Sequence, residues 1–147
     1  MLNIILGNKQ YKSFIDFASK TCDSVSLVFE KDETDNSQYA FQEIYHIVSE
    51  SVIKKESIDV HPNTGSCFEN ADILYLRINT SVTSFLKQAN GIFDWNGKKL
   101  PEELCFYRDE KIWFSCICHE RLLHIHNETS DDLEFLKNSK IKFLYEF

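Results

Sequence analysis

Hydrophobic and polar positions in the first half of the chain repeat with two different periods. Residues 2–6 form a short apolar run that ends at a glycine, which predicts a buried strand. Residues 11–18 place apolar side chains at i, i+3, i+4 and i+7, which predicts a helix, whereas residues 24–29 alternate with the two-residue period of a strand. A second helical stripe occupies residues 41–52, and we expect this longest helix to end near Lys54.

The middle of the chain combines a strongly apolar segment with turn-forming residues. Residues 72–78 are apolar at nearly every position, which is typical of a strand covered on both faces, so we expect this strand at the centre of the sheet. A short helix over residues 82–89 is predicted to follow, capped by Thr80 or Ser81. Asn96-Gly97 predicts a β-hairpin, because both residues tolerate positive φ.

The last third of the chain has the pattern of strands, apart from one helix. Residues 104–108, 112–118 and 122–126 form three neighbouring strand patterns separated by turns, which predicts a β-meander. Ser130 is a suitable cap for a helix with an acidic first turn, and residues 141–147 then alternate cleanly between apolar and polar positions.

The order of these elements predicts the fold class. Helices scattered among strands, followed by a late meander, favour an α+β fold with a mixed, largely antiparallel sheet, a C-terminal β-meander and about four helices. The 147 residues match the length of one domain, and four glycines and two prolines leave no linker composition. We therefore expect a single globular domain over residues 1–147.

The charge of the chain narrows the class of partner. Lysine and arginine number 16 and aspartate and glutamate number 23, which gives a formal net charge of −7. A nucleic-acid partner is disfavoured because it needs a basic patch, and a basic protein partner is favoured. The densest acidic run is a candidate partner surface, although such runs are more often plain solvated surface. It contains Glu30, Asp32, Glu33 and Asp35.

The cysteines and the first residues indicate a cytoplasmic protein. Five cysteines form an odd set with irregular spacing, unlike a disulfide framework, and we interpret them as reduced thiols. The first residues lack the basic start and small-residue cleavage site of a signal peptide, and no apolar stretch approaches the length of a membrane span. No membrane partner is expected.

A group of thiols and imidazoles late in the chain gives a competing interpretation. Cys116, Cys118, His119, His124 and His126 contain the donor atoms that zinc prefers. The spacing is unlike that of a zinc finger, and strand alternation is expected to divide the side chains between the two faces of the sheet. We favour buried thiols and polar imidazoles, with no cofactor, over a small metal- or ligand-binding protein.

The sequence offers no complete catalytic set. Cys118 and His119 are neighbours on a predicted strand, so their side chains point apart, and a base for a cysteine nucleophile would be His46 or His61, brought close by folding. The motifs of a nucleophile elbow, a phosphate loop and a dinucleotide fingerprint are absent from the sequence. We therefore expect a protein that is not an enzyme.

An aromatic and charged segment at the start of the meander is a second candidate partner surface. Tyr107, Arg108 and Trp113 belong to the residue types that dominate binding energy at interfaces, and they would form an anchor for a partner. The structural alternative pairs Arg108 with Glu110 or Glu120.

The same segment resembles a class of bacterial proteins. Residues 100–109, together with Trp113-Phe114 and His119-Glu120, resemble segments of small acidic bacterial proteins of the toxin-immunity type. The resemblance implies a protein that binds and blocks a partner, often with an acidic face on a basic toxin. Our hypothesis is a stoichiometric immunity or inhibitor protein, with a small metal- or ligand-binding protein and a structural subunit of a larger bacterial complex as alternatives.

Overall fold

One eight-stranded antiparallel sheet runs through the computed structural model, which describes residues 1–31 and 35–146. The strands are β1 Leu2–Ile5, β2 Ser24–Glu30, β3 Val52–Val60, β4 Cys67–Arg77, β5 Glu102–Arg108, β6 Lys111–Ile117, β7 Leu122–Ile125 and β8 Lys142–Tyr145. Their order across the sheet is β3-β4-β2-β5-β6-β7-β1-β8. The helices are α1 Asn8–Thr21, α2 Asp35–Val48, α3 Thr80–Leu86 and α4 Ser130–Asn138. The predicted α+β class is confirmed, and so is the meander β5-β6-β7.

All four helices pack against one face of the sheet, which we call the helix face. The apolar stripe of α1 predicted from the sequence lies in this core, where Phe14 contacts the rings of Trp113 and Phe114 at centroid distances of 5.7 and 4.9 Å. Each large side chain removed from water here contributes about 1.5–3 kcal/mol to folding. A row of paired, fully buried residues crosses six strands on the helix face: Leu2, Ile125, Phe114, Phe106, Val25 and Leu76.

The opposite face of the sheet, which we call the second face, is more polar. Its matching row of paired residues is Leu144, Asn3, His124, Ser115, Cys105, Ser26 and Tyr75. Part of this face is covered by the hairpin tip, residues 61–66 between β3 and β4, whose side chains contact β5. A small apolar cluster of Val28, Ala71 and Ile73 lies on the same side.

The strand predicted at the centre of the sheet is β4, and its position corrects that prediction. Residues 71–74 are buried on both faces as expected, yet β4 is the second strand from the edge. The second face of β4 is covered by apolar side chains of its own hairpin, including Ile58 and Phe68. Burial on two faces therefore arises here from a folded-over hairpin and not from a central place in the sheet.

Two predicted boundaries also differ from the structure. The long helix ends at Val48, and Val52 to Lys55 belong to β3, where β-branched Val52 pairs with Leu76. The short helix α3 is capped by Asn79, whose side chain accepts a hydrogen bond from the Val82 backbone N–H at 2.9 Å.

The predicted Asn96-Gly97 turn forms but does not connect two strands of the sheet. Gly97 has a φ of 84°, and its N–H donates to the Leu100 carbonyl at 3.0 Å. Asn96 makes an isolated bridge with Glu102, so the turn folds the chain back at the start of β5. This loop places Glu102 on the second face, at the end of the sheet where β5 begins.

Candidate functional site

Two glutamates meet where β2 ends and β5 begins. Glu30 is the last residue of β2, and Glu102, the first residue of β5, pairs with Val28 two positions earlier on β2. Partial burial, followed by the hydrogen bond to Glu30 and the repulsion from its charge, raises the pKa of Glu102 to about 8. Near neutral pH the Glu102 carboxyl group is therefore protonated. We call this arrangement the carboxylate pair.

A third glutamate, Glu103, is fully buried beside the carboxylate pair. It lies where the register between β2 and β5 shifts, and its φ of 55° is in the left-handed region that non-glycine residues rarely occupy. Its carboxylate accepts hydrogen bonds from the Thr64 hydroxyl at 2.6 Å and from the Ser66 hydroxyl. The ring of exposed His119 approaches the same carboxylate at 4.0 Å. Glu103 thus anchors the hairpin tip to β5.

His61 fixes the backbone of the hairpin tip from inside. Its Nδ1 accepts the backbone N–H groups of Asn63 and Thr64 at 3.1 and 3.2 Å, so the ring proton must be on Nε2. Nε2 lies 3.9 Å from the Cys105 sulfur. Burial lowers the pKa of His61 to about 4 and raises the pKa of the Cys105 thiol to about 12.

Folding therefore brings His61, one of the two histidines considered as a base, next to the Cys105 thiol. The hydrogen-bonding roles of the two groups do not suit a base and a nucleophile. His61 donates toward the sulfur, its other nitrogen is occupied by two backbone donors, and both side chains are shielded from solvent. A protonated thiol beside a donating imidazole is not an activated nucleophile. The second histidine considered, His46, is exposed on α2.

Two of the three residues predicted as a partner anchor, Tyr107 and Trp113, lie in the interior, whereas Arg108 is partly exposed. Tyr107 is 5% exposed, and its hydroxyl bonds to Ser26 and to Asn63 of the hairpin tip, both at 2.9 Å. Trp113 is 2% exposed and packs under the guanidinium of Arg108, which lies 4.3 Å from the ring centroid. These side chains stabilise the fold and present no exposed aromatic surface.

Arg108 pairs with Asp132 and not with Glu110 or Glu120. Two parallel hydrogen bonds of 2.9 and 2.8 Å join the guanidinium to the Asp132 carboxylate, which is 1% exposed. The same carboxylate accepts the Trp113 indole N–H at 3.0 Å and the Thr129 backbone N–H at 2.9 Å. Asp132, on α4, is therefore hydrogen-bonded to a side chain of β5 and to a side chain of β6. The bonds from the guanidinium are charge-assisted, and both oxygens of the buried carboxylate accept a hydrogen bond.

The late thiols and imidazoles are divided between the two faces of the sheet, as predicted. Cys116 is buried on the helix face, whereas His124 and His126 lie on the second face with ring centroids 6.1 Å apart. Cys118 and His119 belong to a 3₁₀ turn, residues 118–120, that follows β6. Within residues 1–31 and 35–146, no group of three or more His, Cys, Asp or Glu side chains is arranged to hold a metal ion.

The acidic run predicted as a partner surface is only partly described. Glu30 belongs to the carboxylate pair. Asp32 and Glu33 lie outside the described residues, and Asp35 is the first residue of α2, with its side chain outside the description.

Sequence reasoning missed Glu102 and Glu103 as members of the site. Both follow Pro101, and their sequence neighbourhood predicts only the start of the meander. Their contacts are to β2 and to the hairpin tip, about forty positions earlier in the case of Thr64. The two adjacent glutamates were the available signal, but a local pattern does not reveal the partner carboxylate.

No helix within the described residues is long and apolar enough to cross a membrane. Comparison of the chain with protein-family models, with curated proteins and with solved structures finds no match.

Proposed function

We propose that this protein is a stoichiometric protein-binding module that blocks a basic partner, in the manner of an immunity or inhibitor protein. The observation that carries the proposal is the carboxylate pair, in which the half-buried Glu102 carboxyl group is hydrogen-bonded to Glu30. Among the described residues, no salt bridge joins a lysine or arginine to either carboxylate. The pair is therefore complementary to a cation supplied by another molecule.

The chemistry of the pair favours a guanidinium or ammonium group. A cation placed between the two carboxyl groups replaces the Glu102 proton and makes short charge-assisted hydrogen bonds, which are about twice as strong as neutral ones. Binding lowers the pKa of Glu102, because the nearby positive charge stabilises the ionised form. Association with such a group therefore releases a proton near neutral pH.

The charge of the whole chain acts in the same direction. A net charge of −7 attracts a basic protein over a distance of about one Debye length, roughly 8–10 Å at physiological salt. Such attraction mainly raises the association rate, while contacts at the carboxylate pair would govern the dissociation rate.

The proposal assigns no reaction to the chain and places it in the cytoplasm. The buried thiol of Cys105 and the donating ring of His61 support a binding role over covalent catalysis. All five cysteines are free thiols, which suits a reducing compartment.

Capture of the partner with matched baits tests this function. Immobilised wild-type protein and the double variant Glu30→Gln, Glu102→Gln are exposed to extract of the source cell, and retained proteins are identified by mass spectrometry. A control bait, Asp131→Asn with Glu134→Gln, removes two exposed carboxylates from α4. We expect one basic protein on the wild-type and control baits, in a one-to-one complex, and its loss from the double variant.

Two outcomes contradict the proposal. Equal retention on all three baits would remove the carboxylate pair from the binding surface, and retention of acidic proteins alone would reverse the expected charge of the partner. A functional assay follows capture, since an inhibitor must also suppress the activity of the purified partner.

A further inference from the structure

The two edges of the sheet differ in how well they are protected against pairing. β3, at one edge, shows register shifts near both ends, between Val52 and Lys54 and between Ile58 and Val60. Its central stretch, residues 54–56, consists of charged side chains. Bulges and charges are the devices that keep an edge strand from joining another strand. β3 is therefore a protected edge.

β8, at the opposite edge, has no register shift, and its one charged residue, Lys142, lies at its start. Its four residues pair with β1 in continuous register from Lys142 to Tyr145. Leu144 is 75% exposed and Tyr145 is 52% exposed, and Ile5, which pairs with Lys142 on the second face, is 66% exposed. Large exposed apolar side chains on an edge strand of regular register mark a surface that another strand can cover.

The hydrogen-bonding groups of β8 alternate between β1 and the open side. The Glu146 N–H donates to the Met1 carbonyl at 2.9 Å, which fixes the phase of the antiparallel ladder. Lys142 and Leu144 share this phase and turn their backbone groups toward β1. The N–H and C=O groups of Phe143 and Tyr145 consequently point to the open side of the strand.

We propose that β8 pairs antiparallel with β8 of a second copy of this chain, so that two eight-stranded sheets join into one. The two-fold axis passes through Leu144 and is perpendicular to the sheet, which keeps the second faces of both copies on the same side. Leu144 then lies opposite Leu144 of the second copy, and Phe143 exchanges two backbone hydrogen bonds with Tyr145 of the second copy. By symmetry the junction contains four such bonds.

The charges of β8 select this register. Lys142 on each copy lies directly opposite Glu146 on the other, on the second face, so the dimer contains two cross-strand ion pairs. A shift of two residues in either direction would set Leu144 opposite a charged side chain, Lys142 or Glu146. The Glu146 carboxylate is held in place by the Asn3 amide at 3.0 Å and by His124 Nε2 at 3.1 Å, which reduces the entropy lost on pairing.

The small contact predicts a weak dimer. Four-residue edges bury less area than the roughly 1,200 Å² at the lower limit of standard interfaces. We expect a dissociation constant of about 10 µM to 1 mM, in the range of transient complexes. The association is independent of the carboxylate pair, which lies between β2 and β5, four strands away from β8.

Charge reversal tests the pairing without relying on a loss of folding. Sedimentation velocity from about 5 µM to 1 mM is measured for wild-type protein, for Lys142→Glu and for Glu146→Lys. Each single variant sets like charges opposite each other twice, so we expect wild-type protein to dimerise and each variant alone to stay monomeric. An equimolar mixture of the two variants restores both ion pairs, and we expect a mixed dimer. Lys12→Glu, an equal charge change on exposed α1, should dimerise like the wild type.

Amide hydrogen exchange gives an independent readout of the same contact. The amides of Phe143 and Tyr145 should gain protection as the concentration of wild-type protein rises, while that of Leu144 stays protected throughout. Monomeric wild-type protein at 1 mM, dimers of either single variant as strong as those of wild type, or a mixture that remains monomeric would each overturn the proposal. In the case of a monomeric wild type, a different protein would be the remaining candidate to pair with β8.

Discussion

Single residues set the pH response of this protein between about pH 4 and 8, because Glu102 and His61 have pKa values shifted into this range. Glu102 is held protonated by burial and by Glu30, and His61 is held neutral by burial. The two shifts act on stability in opposite directions. A raised carboxyl pKa favours folding at low pH, whereas a lowered imidazole pKa favours folding at high pH.

Replacing Glu102 with glutamine should stabilise the protein at alkaline pH. The folded state binds the Glu102 proton more tightly than the unfolded state, so the free energy of unfolding of the wild type falls as pH rises toward about 8. We expect Glu102→Gln to remove this fall between pH 6.5 and 8, a gain on the order of 1 kcal/mol after allowing for partial exposure. Urea unfolding at several pH values measures this gain, with Glu134→Gln at an exposed position as the control. If the free energy of unfolding of Glu102→Gln falls with pH as steeply as that of the wild type, the raised pKa is contradicted.

Replacing His61 with asparagine should reduce the loss of stability in acid. The unfolded imidazole takes up a proton below pH 6.5 and the folded one only near pH 4, so wild-type stability declines by about 3 kcal/mol as pH falls through this window. An asparagine oxygen can accept the Asn63 N–H in place of Nδ1. Urea unfolding of His61→Asn should show a flatter profile from pH 6.5 to 4, whereas exposed His46→Asn should keep the wild-type slope.

Asp132 is the residue whose loss should destabilise the fold most among the acidic positions of α4. Asp132→Ala leaves the Arg108 guanidinium without its bidentate partner and the Trp113 indole N–H unsatisfied, at an expected cost of about 3–5 kcal/mol. Neighbouring Asp131 is exposed, and Asp131→Ala should change the free energy of unfolding by less than about 0.5 kcal/mol. Equal effects of the two changes in chemical denaturation would contradict the role of the buried pair.

At the scale of elements, the hairpin of β3 and β4 organises the second face. Its tip is attached to β5 by Glu103, which bonds to Thr64 and Ser66, and by Tyr107, which bonds to Asn63. These contacts are polar and local to the tip, while the shared core of the helix face lies on the other side of the sheet. The tip can therefore open without unfolding the helix face.

Removing the Glu103 carboxylate should loosen the tip selectively. Glu103→Ala eliminates two hydrogen bonds to the tip, and we expect amide exchange over residues 61–66 to accelerate about tenfold or more. Exchange in α1 and β6 should change little, and Glu69→Ala, at an exposed position of β4, serves as the matched control. Uniform acceleration across the sheet would show that Glu103 supports the whole fold and not the tip alone.

Elements whose signal is local could be predicted from the sequence, and those that depend on distant contacts could not. The period of α1 and the alternation of β2 are properties of ten neighbouring residues, and both were predicted correctly. Val52 continued a helical stripe in the sequence, yet it pairs with Leu76 on β4. His61 and Cys105 lie 44 positions apart, so their contact has no local signature.

Across the whole molecule, the acidic side chains differ in whether they pair with a basic side chain of the same chain. Several carboxylates form internal pairs, as Asp132 does with Arg108 and Asp72 with Lys31. The carboxylate pair of Glu30 and Glu102 instead places two acidic side chains next to each other at one end of two strands. Under the proposed function, this distribution would direct a cationic partner to a defined place, while the overall charge would limit other associations.

Binding to the captured basic partner should therefore depend on both salt and pH. Raising ionic strength should lower the association rate by about tenfold or more from 20 to 500 mM salt, because steering is screened. Affinity should rise from pH 7 to pH 9 as Glu102 becomes easier to ionise, and Glu102→Gln should lose this pH dependence. Surface plasmon resonance over both series measures these effects, and a salt-independent rate would contradict steering.

The unequal edges of the sheet also limit how large any self-association can become. A chain with two unprotected edge strands could pair with further copies at both edges and grow into fibres. In this protein the bulges and charges of the β3 edge would prevent a third copy from pairing once β8 is paired. Under the proposed pairing, growth by strand addition would therefore end at two molecules.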